Sequence, residues 1–291
     1  MTLASETNND TFVSVLLPVF NGGTSLEGAV RSILNQTHRR LELLVIDDGS
    51  TDDAIHNLRQ TPDPRVRFLG DKQRRGLSAR LNEGIDAARG EIIARMDADD
   101  LAFPERLERQ LQYLQTHPEV DLVGCRVVVF RGHDIIGLHP FAAHHEQICA
   151  QPWRGFPLPH PTWMGRTAWF RRFFYAIPEI SRAEDQELLL RSYRYSRFAC
   201  LDEILLAYRQ GDFHFGKTIV ARRSLLAAQL SFFWHHKEWV FAALALGVGC
   251  LKVIIDSLAS LPGCRRLFFT RMAEPVPDAA RKLVLKELSK I

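Results

Sequence analysis

Three carboxylates stand within four residues of one another in the sequence RMDADD at residues 95–100. Asp97, Asp99 and Asp100 follow a short apolar run that has the composition of a strand. Like charges this close repel one another, and burial raises the pKa of each carboxyl group. A divalent cation relieves the repulsion, since oxygen ligands suit Mg²⁺ and Mn²⁺, and such an ion shares its other positions with substrate phosphates. The cluster therefore predicts a metal-diphosphate site; the alternative is a solvated acidic loop before a helix that begins near Pro104.

Four apolar runs typical of buried strands alternate with helical patterns over the first 103 residues. This alternation predicts an α/β fold with a doubly wound, mostly parallel mixed sheet, because strand-helix-strand units return to one sheet through right-handed crossovers. Ligands in such sheets bind outside the carboxyl ends of the strands. Asn21, Asp47, Asp48 and the acidic cluster all follow apolar runs, so we expect them at one sheet edge, which favours the metal-diphosphate interpretation.

The chain has 291 residues, 46% of them hydrophobic and 24% charged, which is enough for one large α/β domain with an appendage. Its formal net charge of +3 is too small to indicate a nucleic-acid partner. None of the five cysteines forms a C-x-x-C pair, which argues against a disulfide framework and a structural zinc site and fits the reducing cytosol. The first ten residues are polar, so we expect a disordered tail there rather than a signal peptide.

The last quarter of the chain differs in composition from the rest. Residues 224–234 are apolar and aromatic, and after a short polar interruption residues 239–251 form a charge-free apolar run. A spanning helix needs about 20 apolar residues, so this run is short for a membrane crossing. Trp234, Trp239 and nearby basic residues suit a membrane interface. We expect interfacial membrane contact here; the alternative is a buried helical hairpin packed on the α/β domain.

Six motifs, taken in chain order, resemble those of the family 2 glycosyltransferases, which are inverting enzymes with the nucleotide-diphospho-sugar (GT-A) fold. They are LPVFN at 17–21, VIDDGSTD at 45–52, GLSARLN at 76–82, RMDADD at 95–100, HPT at 160–162 and AEDQEL at 183–188.

The resemblance extends from about Val13 to Tyr208, which is most of the chain, and implies a GT-A catalytic domain (11–215). The composition of the flanking segments predicts a disordered tail (1–10) before it and a helical, membrane-interfacial tail (216–291) after it. Within the catalytic domain, the resemblance implies a nucleotide-binding half and an acceptor half, at residues 11–103 and 104–215.

The resemblance also implies roles for residues of the nucleotide-binding half. The residues implied to bind the donor are Pro18, Phe20, Asn21, Asp48, Arg80, Asp97 and, later in the chain, Arg209. Asp48 would accept a hydrogen bond from the base, which favours UDP or dTDP because uracil and thymine present an imide N–H. Asp99 would ligate Mn²⁺ or Mg²⁺ at the diphosphate, and Asp97 would hold the ribose or a metal-bound water.

By the same resemblance, Asp185 is the base that takes the proton of the acceptor hydroxyl. It lies at the start of a predicted helix, where the positive end of the helix favours an ionised carboxylate. Glu184 would orient the base, and His160 would face the acceptor or the donor sugar. The implied reaction moves a sugar from a nucleotide donor to a saccharide or lipid-linked acceptor, in surface polysaccharide or glycolipid assembly at the cytoplasmic face of the membrane.

Three other functions fit the sequence less well. A nucleotidyltransferase of the same fold would need a G-x-G-T-R loop, and NGGTS at 21–25 lacks the basic residue. A receiver-like signalling domain places its paired acids after the first strand and is much shorter. A sugar-nucleotide-binding protein without glycosyl transfer is disfavoured because suitable groups occupy the base, metal and nucleotide positions.

Overall fold

The computed structural model describes residues 10–132, 134–178, 180, 182–212, 214–261 and 274–288. The strands are β1 (Val13–Val19), β2 (Leu41–Asp47), β3 (Val66–Leu69), β4 (Ile92–Arg95), β5 (Leu101–Ala102), β6 (Leu122–Arg131), β7 (Asp134–Leu138), β8 (Met164–Arg166) and β9 (Phe198–Arg209). The helices are α1 (Ser25–Leu34), α2 (Ala54–Arg59), α3 (Leu77–Ala87), α4 (Arg106–Thr116), α5 (His145–Ile148), α6 (Thr167–Arg172), α7 (Glu184–Ser192), α8 (Phe215–His235), α9 (Trp239–Ala259) and α10 (Asp278–Leu288).

The strands form one mixed sheet in the order β3-β2-β1-β4-β8-β6-β9-β5, with β7 paired to β6. The first four strands of that order run parallel, as the strand-helix alternation predicts. β8 is antiparallel to both β4 and β6 and so joins this parallel half to the pair β6 and β9. The predicted doubly wound, mostly parallel mixed sheet with a C-terminal helical appendage is therefore confirmed.

Both faces of the sheet are covered, so the central strands are buried on both sides. All seven residues of β1 are buried, which explains its continuous apolar sequence. Val15 and Leu17 pack in the core that includes α1 and α4, whereas Leu16 packs in the core that includes α3 and α7. Successive side chains of a strand point to opposite faces, so a single strand supplies both cores.

One region differs from expectation. Residues 131–151 have weak periodicity, which predicts loops, but the structure contains β7 and the short helix α5 there. β7 is an edge strand that pairs with β6 through an irregular register near Val129, and edge pairing of this kind has little sequence signature.

Helices α8 and α9 form a hairpin, named here the α8–α9 hairpin, which packs on the α/β domain mainly through α8. Phe233 of α8 is fully buried, and Trp153 lies against Phe241 of α9 with ring centroids 4.9 Å apart. Arg222 of α8 pairs with Asp256 of α9 at 2.9 Å. Within the described residues, α9 is the one helix long and apolar enough to cross a membrane, and 11% of its most apolar stretch is buried.

Candidate active site

The loops after β1 and β2 are hydrogen-bonded to each other at the carboxyl edge of the sheet. Asn21 has a φ of 53°, and its Oδ1 accepts a 2.8 Å hydrogen bond from the backbone N–H of Thr51. The Asn21 N–H in turn donates to Ser50 Oγ at 3.0 Å. Gly23 N–H donates to Asp52 at 2.8 Å. These reciprocal contacts define one face of the candidate pocket.

Asp48 and Arg80, both predicted to bind the donor, contact each other in a buried network. The Asp48 carboxylate accepts hydrogen bonds from the backbone N–H groups of Arg75 and Gly76, at 2.7 and 3.1 Å, and from Arg80 Nε at 3.1 Å. Arg80 also donates to Asp71 at 2.7 Å, and this bond is the largest of the interactions that lower the pKa of Asp71 to about 2. The pair therefore holds the loop before α3, and its contact with a nucleotide stays a prediction.

Phe20 is the most exposed aromatic group at this edge. Its side chain is 39% exposed, and the guanidinium of Arg74 lies 4.1 Å from the ring centroid. Pro18 is buried in β1 and pairs in register with Ile46 of β2, so it lies beneath the loops. Arg74 was not predicted, because an arginine in a basic loop (KQRR at 72–75) has no distinguishing pattern in the sequence.

The acidic cluster lies beside this edge, directly after β4. Carboxylate oxygens of Asp97, Asp99 and Asp100 lie within 4.8 Å of one another. Desolvation, followed by the charge of Asp97, raises the pKa of Asp99, although Asp99 is the most exposed of the three. The same two causes raise the pKa of the buried Asp100 well above its ordinary value.

The donor set of this cluster fits a divalent cation. One oxygen of Asp100 accepts a 2.8 Å hydrogen bond from the backbone N–H of Arg209, whereas Oδ2 is buried without a hydrogen-bond partner in the described part of the chain. A buried oxygen without a donor, next to two further carboxylates, is the arrangement that hard cations stabilise. Arg209 Nε donates to the Asp99 carbonyl at 2.9 Å, so this arginine is held against the cluster.

Arg95 is a buried cation behind the cluster and was not assigned a role from the sequence. It pairs with Asp97 at 2.6 Å, and its side chain is 3% exposed. Its Nε and Nη1 atoms are buried and lack hydrogen-bond partners among the described residues. Arg106 donates to the Arg95 carbonyl at 2.6 Å, and burial lowers the pKa of Arg106 to about 10. The sequence signal that could have identified Arg95 as a buried cation is the presence of an arginine within an apolar strand.

The predicted base, Asp185, is the second residue of α7 and lies within electrostatic reach of Arg95. Burial raises the pKa of Asp185, whereas a hydrogen bond from Gln186 and the charge of Arg95 oppose that rise. Gln186 Nε2 lies 3.3 Å from Asp185 Oδ2. Arg95 therefore interacts electrostatically with both the acidic cluster and the predicted base.

His160 is held as a neutral imidazole next to Glu184. Its Nδ1 lies 3.9 Å from Glu184 Oε1, and its Nε2 lies 2.6 Å from the hydroxyl of Tyr175. Burial, followed by the charge of Arg95, lowers the pKa of His160 well below its ordinary value. Burial also raises the pKa of Tyr175, so its hydroxyl stays protonated. Tyr175 was not predicted, because it lies outside the recognised motifs.

Comparison with known proteins gives one family. Residues 14–175 match the model of glycosyl transferase family 2. The putative glycosyltransferase EpsE of Bacillus subtilis is 33% identical over 190 residues, which are 63% of this chain and 67% of EpsE. The bifunctional glycosyltransferase pgtA of Dictyostelium discoideum is 32% identical over 146 residues, which are 44% of this chain and 19% of pgtA.

Solved structures give the fold. TarS 1-349 of S. aureus in complex with UDP-GlcNAc has a TM-score of 0.60 at 18% identity, covering 75% of this chain and 66% of TarS. The mannosyltransferase PcManGT of Pyrobaculum calidifontis, in complex with GDP-Man and Mn²⁺, has a TM-score of 0.60 at 16% identity, covering 96% of this chain and 86% of PcManGT. Since the family model spans more than half of the sequence, the chain belongs to glycosyl transferase family 2.

Proposed function

We propose that this protein is an inverting glycosyltransferase that moves a sugar from a nucleotide-diphospho-sugar to a hydroxyl acceptor. The observation that carries the proposal is the arrangement around Arg95. This buried cation pairs with Asp97 of the acidic cluster at 2.6 Å, and its charge also opposes the rise that burial causes in the pKa of Asp185. Such a transfer needs positive charge at the diphosphate and a base for the acceptor hydroxyl. The acidic cluster is suited to hold a cation at the diphosphate, and Asp185 is suited to act as the base.

The cluster is proposed to hold Mn²⁺ or Mg²⁺, with Asp99 as the principal ligand and Asp97 and Asp100 nearby. When bound, the cation supplies positive charge to a diphosphate leaving group. Support comes from the Asp100 oxygen that has no hydrogen-bond partner among the described residues, and from the PcManGT complex, which contains Mn²⁺.

The donor is proposed to be a UDP- or dTDP-sugar. The TarS complex contains UDP-GlcNAc and supports a uridine nucleotide, whereas the PcManGT complex contains GDP-Man, so guanosine is the competing base. The half-exposed ring of Phe20 offers a stacking surface for a base, next to the Arg74 guanidinium. Pro18, Asn21, Asp48, Arg80, Asp97 and Arg209 complete the proposed donor site.

The proposed chemistry is a single displacement. The acceptor oxygen forms a bond to the anomeric carbon while the bond from that carbon to the diphosphate breaks, and the electron pair leaves with the nucleoside diphosphate. Asp185 takes the acceptor proton, for which it must be ionised. Glu184 and the neutral His160 are proposed to contact the acceptor or the donor sugar, because Glu184 precedes the base in the sequence and His160 Nδ1 lies 3.9 Å from Glu184 Oε1.

The experiment is a panel of UDP-, dTDP- and GDP-sugars, with release of the nucleoside diphosphate measured with and without Mn²⁺. We expect one donor class to turn over only with the metal. Asp185→Asn should bind that donor within about twofold of wild type and turn over about 10²–10⁴ times more slowly. Normal turnover by Asp185→Asn would show that the base is another residue, and donor binding without release by wild type would favour a sugar-nucleotide-binding protein.

The α8–α9 hairpin is proposed to contact the cytoplasmic face of a membrane and to bring the enzyme to a lipid-linked acceptor. Leu251 and Ile254 of α9 are each 56% exposed, and Trp234 and Trp239 pack together at the turn of the hairpin with ring centroids 4.5 Å apart. Exposed aliphatic side chains beside paired tryptophans suit the interfacial region of a bilayer.

Flotation with phosphatidylglycerol vesicles tests this contact. Wild type should float with the vesicles, whereas the double variant Leu251→Glu/Ile254→Glu should remain in the soluble fraction. Equal flotation of both proteins would show that α9 is not the contact surface.

A further inference from the structure

Residues 151–156, named here the 151–156 segment, lie between the α8–α9 hairpin and helix α7. Two hairpin side chains hold backbone carbonyls of this segment. Gln229 Nε2 donates to the carbonyl of Pro152 at 2.8 Å, and Lys252 Nζ donates to the carbonyl of Arg154 at 2.7 Å. One bond comes from α8 and the other from α9, so the segment is fixed by the hairpin as a whole.

Gln186 holds the other side of the segment. Its Oε1 accepts a 2.8 Å hydrogen bond from the N–H of Phe156, and its Nε2 donates to the Phe156 carbonyl at 3.2 Å. Gly155 has a φ of +103°, and a Cβ at this position would lie 2.8 Å from Gln186 Oε1. The glycine thus permits the close approach that this two-point contact requires.

The Nε2 of Gln186 also faces the adjacent carboxylate, with Asp185 Oδ2 at 3.3 Å. A primary amide has two N–H groups, so this nitrogen can serve the Phe156 carbonyl and the carboxylate together. The side chain of Gln186 is therefore shared between the 151–156 segment and the proposed base.

We propose that Gln186 is a positioning residue that orients the carboxylate of Asp185. We propose further that the 151–156 segment couples the packing of the α8–α9 hairpin on the α/β domain to that orientation. The inference rests on the proposed role of Asp185 as the base. A contiguous chain of hydrogen bonds connects the hairpin to the carboxylate: Gln229 and Lys252 to the segment, the segment to Gln186, and Gln186 to Asp185. The hairpin that is proposed to contact the membrane thereby also supports the proposed base, Asp185.

The first test is Gln186→Glu, assayed by hydrolysis of the panel donor with the highest turnover, with water as acceptor and no vesicles present. A glutamate retains the acceptor for the Phe156 N–H but loses the N–H groups that face the carbonyl and Asp185. We expect kcat to fall at least about tenfold while KM for the donor changes less than about twofold, because the base and not the donor site is disturbed. The acid limb of kcat against pH should move to higher pH, because a donor to the carboxylate is replaced by a negative charge.

Gln112→Glu is the matched control. Gln112 is exposed on α4, and its substitution makes the same chemical change away from the site. Its kcat and its acid limb should equal those of wild type. An unchanged kcat and acid limb in Gln186→Glu, or an equal fall in both variants, would overturn the positioning role.

The second test is Lys252→Met, which removes the bond to Arg154 and keeps an unbranched apolar side chain. We expect kcat to fall about threefold with unchanged donor KM, and amide hydrogen exchange of Phe156 and Gln186 to become at least about threefold faster. The exchange measurement needs no substrate, so it tests the connection even if no donor turns over and the proposed function fails. Unchanged exchange at both amides would overturn the link between hairpin and base.

Discussion

Arg95 donates to Asp97 over 2.6 Å from a position where the guanidinium is 3% exposed, and two of its nitrogens have no other partner in the described residues. Burying a cation this deeply is unfavourable unless nearby anions compensate for the lost water. Asp97, Asp99, Asp100 and Asp185 supply that compensation, because each interacts electrostatically with Arg95. Arg95 is thus compensated by the protein itself, whereas the acidic cluster keeps an excess of negative charge that a divalent cation can offset.

Arg95→Met should lower the free energy of unfolding by about 3 kcal/mol at pH 7.5, because it leaves several carboxylates without their internal cation. The loss should be smaller at pH 5. The pKa values of Asp99 and Asp100 are raised in the folded state, so these carboxylates are protonated at a higher pH in the folded protein than in the unfolded chain. The repulsion between the carboxylates therefore weakens as pH falls. Urea unfolding at both pH values measures the effect, with Arg31→Met on the exposed face of α1 as control. Equal losses at the two pH values would contradict this account.

Asp99→Ala should remove the metal-dependent part of nucleotide binding. We expect Mn²⁺ to strengthen UDP binding to wild type, and this gain to fall at least about tenfold in the variant, because a proposed ligand of the cation is lost. Isothermal titration of UDP with and without Mn²⁺ measures it. Asp86→Ala, at an exposed position of α3, is the control and should retain the full gain. Retention of the gain by Asp99→Ala would move the cation site elsewhere.

The pH dependence of kcat should report on Asp185. Burial raises its pKa above the ordinary value of 3.8, and only the ionised carboxylate accepts a proton. Activity should therefore be lost as pH falls through a pKa above 3.8 and be constant above it. Burial lowers the pKa of His160 well below 6.5, so we expect no limb from this imidazole near pH 6.5. A limb near pH 6.5 that disappears in His160→Asn would contradict this assignment.

The pair Arg222 and Asp256 joins α8 to α9, with side chains 18% and 4% exposed. Arg222→Met or Asp256→Leu alone should lower the free energy of unfolding by about 3 kcal/mol, because each leaves one charge buried without its partner. The double variant should recover at least half of that loss. A double-mutant cycle by urea unfolding measures the coupling, and additive losses would show that the two charges do not depend on each other.

Much of the parallel half of the sheet could be predicted, because strands buried on both faces leave continuous apolar runs such as that of β1. The acidic cluster and Asp185 were recognisable from motifs. The hydrogen-bond partners of the site residues were not recognisable from the sequence. Asp48 is satisfied by backbone N–H groups of Arg75 and Gly76, which only the folded loop brings within reach. Gln186 has an ordinary helical sequence context, and its shared contacts depend on a chain segment 30 residues away.

The reciprocal bonds between the loops after β1 and β2 bear on how a nucleotide is received. Asn21 accepts from Thr51 and donates to Ser50, so neither loop opens unless the other loses its partners. The conformational entropy of both loops is given up when the chain folds and not when a ligand arrives. This part of the candidate pocket is therefore preorganised, and we expect a nucleotide to bind there without a change in the conformation of either loop.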